Sequence, residues 1–380
     1  MVLISAITGI FRKKEKEERY EYEAASQWQL MWWKFKKHHM ARVSLPLIIL
    51  LYLVAAFCEF VAPHGPLERF PDHTFAPPSR IRFVCERDGF SPFPFVYNMV
   101  GEVDPLTRRR IYSEDRSQKF FLRFFNQGSQ YMMWGIIPAR TRLVGIAGEG
   151  RPFFIMGTDR LGRCVFSRIV YGSRISLSFG FIAIFFTFII GIALGGLSGY
   201  LGGWVDNVVQ RLIDLLLCMP TIPLWMALAA AMPRDWNPVQ MYLGMVLVMS
   251  LIGWTGLARV VRGKILSLRE EDFTMAARLS NASHARVLFR HLIPSFFSFI
   301  IVSLTISLPG AILGETALSF LGLGLQPPVV SWGVLLQDAQ NIEVLAFYPW
   351  LLWPAAFVIL IVLLFNFLGD GIRDAADPYK

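Results

Sequence analysis

Hydrophobic and polar positions along this chain fall into long blocks rather than short periods. Apolar runs near the ~20 residues that a helix needs to cross a bilayer occupy 42–62, 174–200, 207–232, 239–258, 293–318 and 346–368. An all-α membrane protein with six transmembrane helices is the expectation. The second run, ISLSFGFIAIFFTFIIGIALGGLSGY, places Gly191, Gly195, Gly196 and Gly199 at small-xxx-small spacing, which lets a neighbouring helix backbone come close in lipid. The third holds CMPTIPLW, where Pro220 and Pro223 remove amide donors and predict a kink or break near mid-span.

The polar blocks set the organisation. Residues 1–41 form a leader, 42–62 the first span, 63–168 a long external segment, 169–368 a five-helix core, and 369–380 a tail. The leader's apolar stretch begins only after about forty residues, so it is expected to stay as an anchor rather than be cleaved. Within it, SQWQLMWWKFKKHHMAR mixes Trp28, Trp32 and Trp33 with Lys34, Lys36 and Lys37, as in a helix lying at headgroup level; a docking site for a soluble subunit is the alternative. His38 and His39 share this collar, and adjacent helical positions do not face one point as metal ligands would. A segment as long as 63–168 predicts a small folded cap. At its end, Cys164 to Arg174 reads as an interfacial helix feeding the second span.

Between the fourth and fifth runs lies TMAARLSNASHARVLFRHLIP, residues 274–294. SLRE at Ser267–Glu270 has the form of a capping box, predicting a helix from Leu268. Asn281 is placed to end it in a left-handed conformation, and ASHARVLFRHLIP restarts a helix, with Pro294 where the fifth span begins. A short helix ended by a tight turn, with Phe273 and Ala276–Ala277 on show, suits insertion into a groove of another protein. Resting on lipid headgroups is the other reading.

Composition then changes the picture only in one direction. The 380 residues are 54% hydrophobic and 17% charged, with net charge +9 and mean hydropathy +0.46, outside the usual soluble range. The excess of cations needs no nucleic acid, because Lys and Arg concentrate in loops retained on the cytoplasmic side. Arg12, Lys13, Lys14, Lys16, Arg19, Lys34, Lys36, Lys37 and Arg42 precede the first span, and Arg259, Arg262, Lys264, Arg269, Arg278, Arg286 and Arg290 follow the fourth. AMPRDWNP carries only Arg234 and residues 319–345 none. The N-terminus, the 274–294 segment and the C-terminus are thus all expected to be cytoplasmic.

The 274–294 segment resembles the coupling-helix signature of permease subunits of bacterial ATP-binding-cassette importers: Glu-Ala-Ala, three residues, Gly, nine residues, then Ile or Leu before Pro. Ala276, Ala277 and Pro294 match; Met275 stands for the usual Glu and Asn281 for Gly. GTDRLGRCVFSRIVYGSRISL, LSFLGLGLQPPVVSWGVLLQDAQN and GDGIRDAADP resemble the dipeptide/oligopeptide/nickel branch, its second-permease type, with Cys164 for the usual Asp. The likeness covers roughly 157–380; residues 66–150 are longer than in most members. It implies a type I importer permease fold in the inner membrane and a coupling helix at 268–282. Implied partners are a second homologous permease, two ABC ATPase domains, a periplasmic solute-binding protein and the lipid bilayer. ATP and Mg would sit on partner subunits, and this chain would bind no cofactor of its own. Asp272, Phe273, Met275, Ala276, Ala277, Arg278, Asn281 and Ala282 become the ATPase-coupling candidates. Asp272 and Glu271, a turn earlier, are placed to supply the charge that Met275 lacks.

Branch likeness favours short peptides, with oligosaccharides, opines and metal chelates also handled by relatives. Met219, Pro220, Pro223 and Glu315 are candidates for the translocation path, although the prolines also read as a packing kink and Glu315 as a hydrogen-bonded structural acid. Asp206, Arg211 and Asp214 read as an ion-pair network. An intramembrane enzyme would need paired carboxylates, a His cluster or a Ser/Lys pair facing a cavity, which the spans scarcely offer; a channel would leave the 274–294 segment unexplained. No G-x-x-x-x-G-K-[ST] loop is present, so ATP hydrolysis must come from elsewhere. Cys85 and Cys164 both fall in the external segment, where spacing leaves bonded and free states open.

Overall fold

The structure, a computed structural model, describes residues 27–85, 89–106, 108–146, 152–233 and 235–376. Arg12, Lys13, Lys14, Lys16, Arg19 and Arg234, and residues 377–380 of the tail, lie outside the described residues, as do the side chains of Trp28 and Cys85. The leader helix α1 (Gln27–Lys37) gives way at His38 to α2 (His39–Ala56), the first span. His38 caps α2, its Nδ1 accepting from the Ala41 amide at 3.2 Å, which satisfies one of the amides that a helix start leaves without a partner. The Lys36 ammonium sits 5.3 Å from the centre of the Trp32 ring. After the short α3 (Cys58–Val61) the chain enters the long segment 63–168.

That segment folds as an antiparallel sheet in the order β1 (Arg82–Cys85), β2 (Gly89–Val103), β3 (Arg110–Met133), β4 (Ile137–Ile146). The helical expectation therefore holds for the membrane part, and the cap is β-structure. The first half of β3 pairs with β2, from Val103↔Arg110 to Phe95↔Phe121, and its second half with β4, from Leu122↔Ile146 to Met133↔Ile137. The β1–β2 register breaks across Pro92 and Pro94, which have no amide to give the ladder. Val96, Leu122, Ile146 and Phe153 form the sheet's own core. The buried Arg142 guanidinium of β4 ties the sheet to the end of α3 by donating to the Ala62 carbonyl at 2.7 Å, and holds β3 by donating to Ser129 Oγ at 3.0 Å.

Among the described residues five helices are long and apolar enough to span a bilayer: α2, α4 (Val165–Leu201), α7 (Pro238–Leu268), α9 (Phe297–Phe320) and, beyond the short α10 (Trp332–Leu336), α11 (Trp353–Ala376). The third expected span is instead a bent pair, α5 (Gly203–Cys218) and α6 (Thr221–Ala230), meeting at 91°; a sixth crossing exists only if the pair counts as one. The break falls at Met219–Pro220, where the prolines pointed. No break separates 164–174 from the second span, since α4 is one helix, about 55 Å long at 1.5 Å per residue. α4 packs along α7 through the expected glycines. A Cβ at Gly195 would lie 2.4 Å from the Ala258 carbonyl oxygen, and one at Gly199 2.9 Å from that of Arg262. α11 runs on through Ala376, and its Gly371 lies against Ala41 and Phe35, so the leader and the C-terminal helix end share one end of the bundle.

Candidate coupling surface and translocation cleft

The segment after α7 builds a small rigid wedge. α7 continues through Leu268 and is capped by Arg269, and the next helix, α8, is Asp272–Leu279 with Glu271 at its N-cap. The capping box expected at Ser267–Glu270 is thus not one. Ser267 Oγ donates to the Lys264 carbonyl within α7, because Val261, Ile265 and Leu268 extend the apolar stripe past the point where the motif would start a helix. Glu271 starts α8 with backbone alone, its carbonyl accepting from Thr274 and Met275. The buried Thr274 hydroxyl donates back to the Leu268 carbonyl at 2.9 Å, pinning the two helices.

α8 ends as the sequence foretold. Asn281 has φ 57°; its amide bonds the Arg278 carbonyl and the Ala282 amide bonds that of Ala277, the double closure of a Schellman turn with Asn in the left-handed place. Ser283 then caps His284–Arg286, and Val287–Leu292 continues as a π-helical stretch.

The eight coupling candidates divide by face. Asp272, Phe273, Met275 and Ala276 are exposed, and Leu279 beside them is 87% exposed. Ala277 and Ala282 face inward, packed on a cluster that includes Val261, Ile265, Leu288 and Leu292. The expectation that both alanines are on show is corrected accordingly: only Ala276 is. Arg278 turns back over the Tyr200 ring at 5.3 Å, and the Tyr200 hydroxyl meets His284 Nδ1 at 3.1 Å. The wedge is therefore bolted to the end of α4 as well as α7. Nearby, Arg262 grips Asp206 with two hydrogen bonds and Arg259 pairs with Asp214; these acids reach to α7 rather than to Arg211.

The path candidates do not converge. Met219, Pro220 and Pro223 are exposed at the α5–α6 break. Glu315 is fully buried near the other end of α9, accepting from Ser319 Oγ at 2.9 Å and Ser176 Oγ at 3.3 Å. None of the four lines a cleft of about 450 Å³ between α4, α6, α7 and α9; Thr187, Trp225, Gly253, Gly256, Ser303 and Ser307 are among its lining. Small and hydroxyl residues at helical spacing, Gly253/Gly256 and Ser303/Ser307/Gly310, were the available signal for it.

Just before α4, the GTDRLGR motif is a clasp. Asp159 accepts from the Leu161 and Arg163 amides, from Arg163 Nε at 2.7 Å and from Arg168. Burial raises the Asp338 carboxyl above its ordinary range, and Arg160 at 3.3 Å opposes that shift. Cys164 stands beside the clasp as a buried, free thiol, so it makes no bond to Cys85.

Residues 191–379 match the family model described as binding-protein-dependent transport system inner membrane component. Residues 26–78 match the N-terminal transmembrane domain of oligopeptide transport permease C, and the sheet lies between the two stretches. The oligopeptide transport system permease protein OppC of Bacillus subtilis is 36% identical over 223 residues, 58% of this chain and 70% of that one. The dipeptide transport system permease protein DppC of Alkalihalophilus pseudofirmus is 41% identical over 224 residues, 58% of this chain and 71% of that one. A solved inward-facing MetNI methionine ABC transporter shares 19% identity at a TM-score of 0.45, over 56% of this chain and 97% of that one. The chain belongs to the family of inner membrane components of binding-protein-dependent transport systems, transporter subunits rather than enzymes.

Proposed function

We propose that this chain is one of two homologous permeases in an ATP-driven importer of short peptides or solutes of similar size, energised through α8 by cytoplasmic ATPases. The names of its relatives, oligopeptide and dipeptide permeases, support the solute class. The exposed side of α8 carries the reading: Asp272, Phe273, Met275, Ala276 and Leu279 present a mixed acidic and apolar ridge on a helix whose other side is locked into the bundle. Such a ridge fits a groove. In this reading the α8 end and both termini are cytoplasmic, ATP and Mg bind the ATPase subunits, and a soluble binding protein delivers solute at the sheet-bearing face. The second permease closes the other side of the cleft, and ATPase closure rocks the helices around it.

The test is reconstitution. The purified chain alone hydrolyses no ATP, and stimulated hydrolysis appears only when a second permease, two ATPase domains and a loaded binding protein are all present. Turnover by this polypeptide alone would overturn the assignment.

A further inference from the structure

We infer that the β3–β4 hairpin tip is a membrane-seated anchor, with Trp134 and Ile136 lodged in the headgroup region of the leaflet at the Ala56 end of the first span. The inference concerns the inserted sheet alone and does not depend on which solute is carried.

The tip reads Met132-Met133-Trp134-Gly135-Ile136-Ile137. Turns that require positive φ select Gly, Asn or Asp, and hairpin tips in water are polar. Here Trp134 itself adopts φ 51°, beside Gly135 at 73°, a backbone region that costs a bulky side chain free energy unless its surroundings hold it there. Two contacts hold it. The indole Nε1 donates to the Ala56 carbonyl at 2.7 Å, and the ring lies 5.4 Å from that of Phe57. The hairpin therefore bends back to the level at which α2 ends.

The apolar side chains at that level are open. Ile136 is 77% exposed and Trp134 49%, with Met132 and Ile137 similarly uncovered. They continue a surface that runs the length of α2: Val43, Leu47, Leu50 and Phe57, spaced so as to share one helix face, are all exposed, as is Leu53. On this proposal the exposed apolar face of α2 is its lipid face, and the tip prolongs that contact to the headgroup level. Tryptophan is the residue enriched where chain meets headgroups, its ring in the apolar layer and its N–H bonded. A hairpin seated in this way would fix the sheet's height over the bundle.

The test places a reporter at the most exposed tip residue. Ile136→Cys, in a chain carrying Cys85→Ser and Cys218→Ser, is labelled with an environment-sensitive fluorophore; Cys58 and Cys164 are buried, and the chain lacking Ile136→Cys gives the blank. The full chain is reconstituted in phosphatidylcholine vesicles with or without a lipid bearing a doxyl group near its headgroup. Ser117→Cys, in an exposed polar bend of β3, serves as the aqueous reference. The label at 136 should emit to the blue of that at 117, lose intensity to doxyl lipid and resist aqueous iodide. Quenching by iodide without loss to doxyl lipid would put the tip in water and overturn the proposal. Shielding from both quenchers would overturn it as well, by showing that protein covers the tip.

Discussion

Replacing Ala276 with tryptophan adds an indole to the exposed side of α8 without touching the packing beneath it. Because Ala276 is exposed, the permease itself should change in stability by no more than about 0.5 kcal/mol. Docked in a groove, the same indole overpacks a close contact at about 1–3 kcal/mol, equivalent to about 5- to 150-fold weaker association. Ala277→Trp behaves differently, because that methyl packs on the Val261, Ile265, Leu288 and Leu292 cluster, and its overpacking lowers the permease's own stability. The assay is recovery of tagged ATPase on permease of matched abundance, with the thermal midpoint of each variant measured alongside. Ala276→Trp should lose ATPase and transport at an unchanged midpoint, while Ala277→Trp should lower the midpoint. Asp272→Ala should reduce recovery more than Met275→Ala, since Asp272 carries an exposed charge and Met275 none. Full recovery and transport in Ala276→Trp would refute the docking role and leave α8 resting on lipid.

Asp159→Asn removes the carboxylate from between the buried Arg163 and Arg168; breaking a buried pair costs about 3–5 kcal/mol, so thermal midpoint and abundance should both fall, and wild-type values for both would refute the clasp. His64 gives a pH dependence. Its imidazole meets the Phe153 carbonyl at 3.1 Å, Glu68 lies 3.9 Å away and Arg142 is near, and burial holds its pKa below 6.5. The unfolded segment binds a proton that the folded one refuses, so this contribution is full above 6.5 and is lost as pH falls from 6.5 through the folded pKa. Thermal unfolding should therefore come earlier at about pH 5 than at about pH 7.5, a difference that His64→Gln shrinks; equal acid sensitivity in both chains would exclude His64.

How much of this was legible depended on whether the governing contact was local. Apolar runs announce spans because lipid imposes one requirement over a whole segment. The break at Pro220 and the left-handed Asn281 were legible because each follows from the residue's own backbone chemistry. The SLRE motif misled because a capping pattern competes with the helix already passing through it, and the buried Val261 and Ile265 decide for continuation. The sheet was illegible as strands because Phe120–Phe121, Phe124–Phe125 and Met132–Met133 spoil any two-residue alternation, and its position rests on partners far along the chain, such as Arg142 on Ala62. The cleft draws on four helices, so no single stretch spells it.

The route from wedge to cleft follows from the same packing. Ala277 and Ala282 share a cluster with Ile265 on α7, and Ile265 also lies over Gly199, where the α4 and α7 backbones approach too closely for a side chain between them. Backbones in that contact cannot slide without steric conflict, so α4 and α7 respond to force as one body. Gly253, Gly256 and Val260, a few turns along α7, line the cleft together with Ala183 and Thr187 of α4. Across it stand Ser303 and Ser307 of α9 and Trp225 of α6, the latter carried on a helix that the break at Pro220 separates from α5. On the proposed coupling, a push on α8 moves the α4–α7 wall as a unit, and α6, whose Ala229 shares a cluster with Phe179 and Ala183 of α4 and with Met245 and Met249 of α7, follows through side chains rather than through backbone contact. The cleft then changes shape to the extent that side-chain packing yields where the glycine contact between α4 and α7 does not.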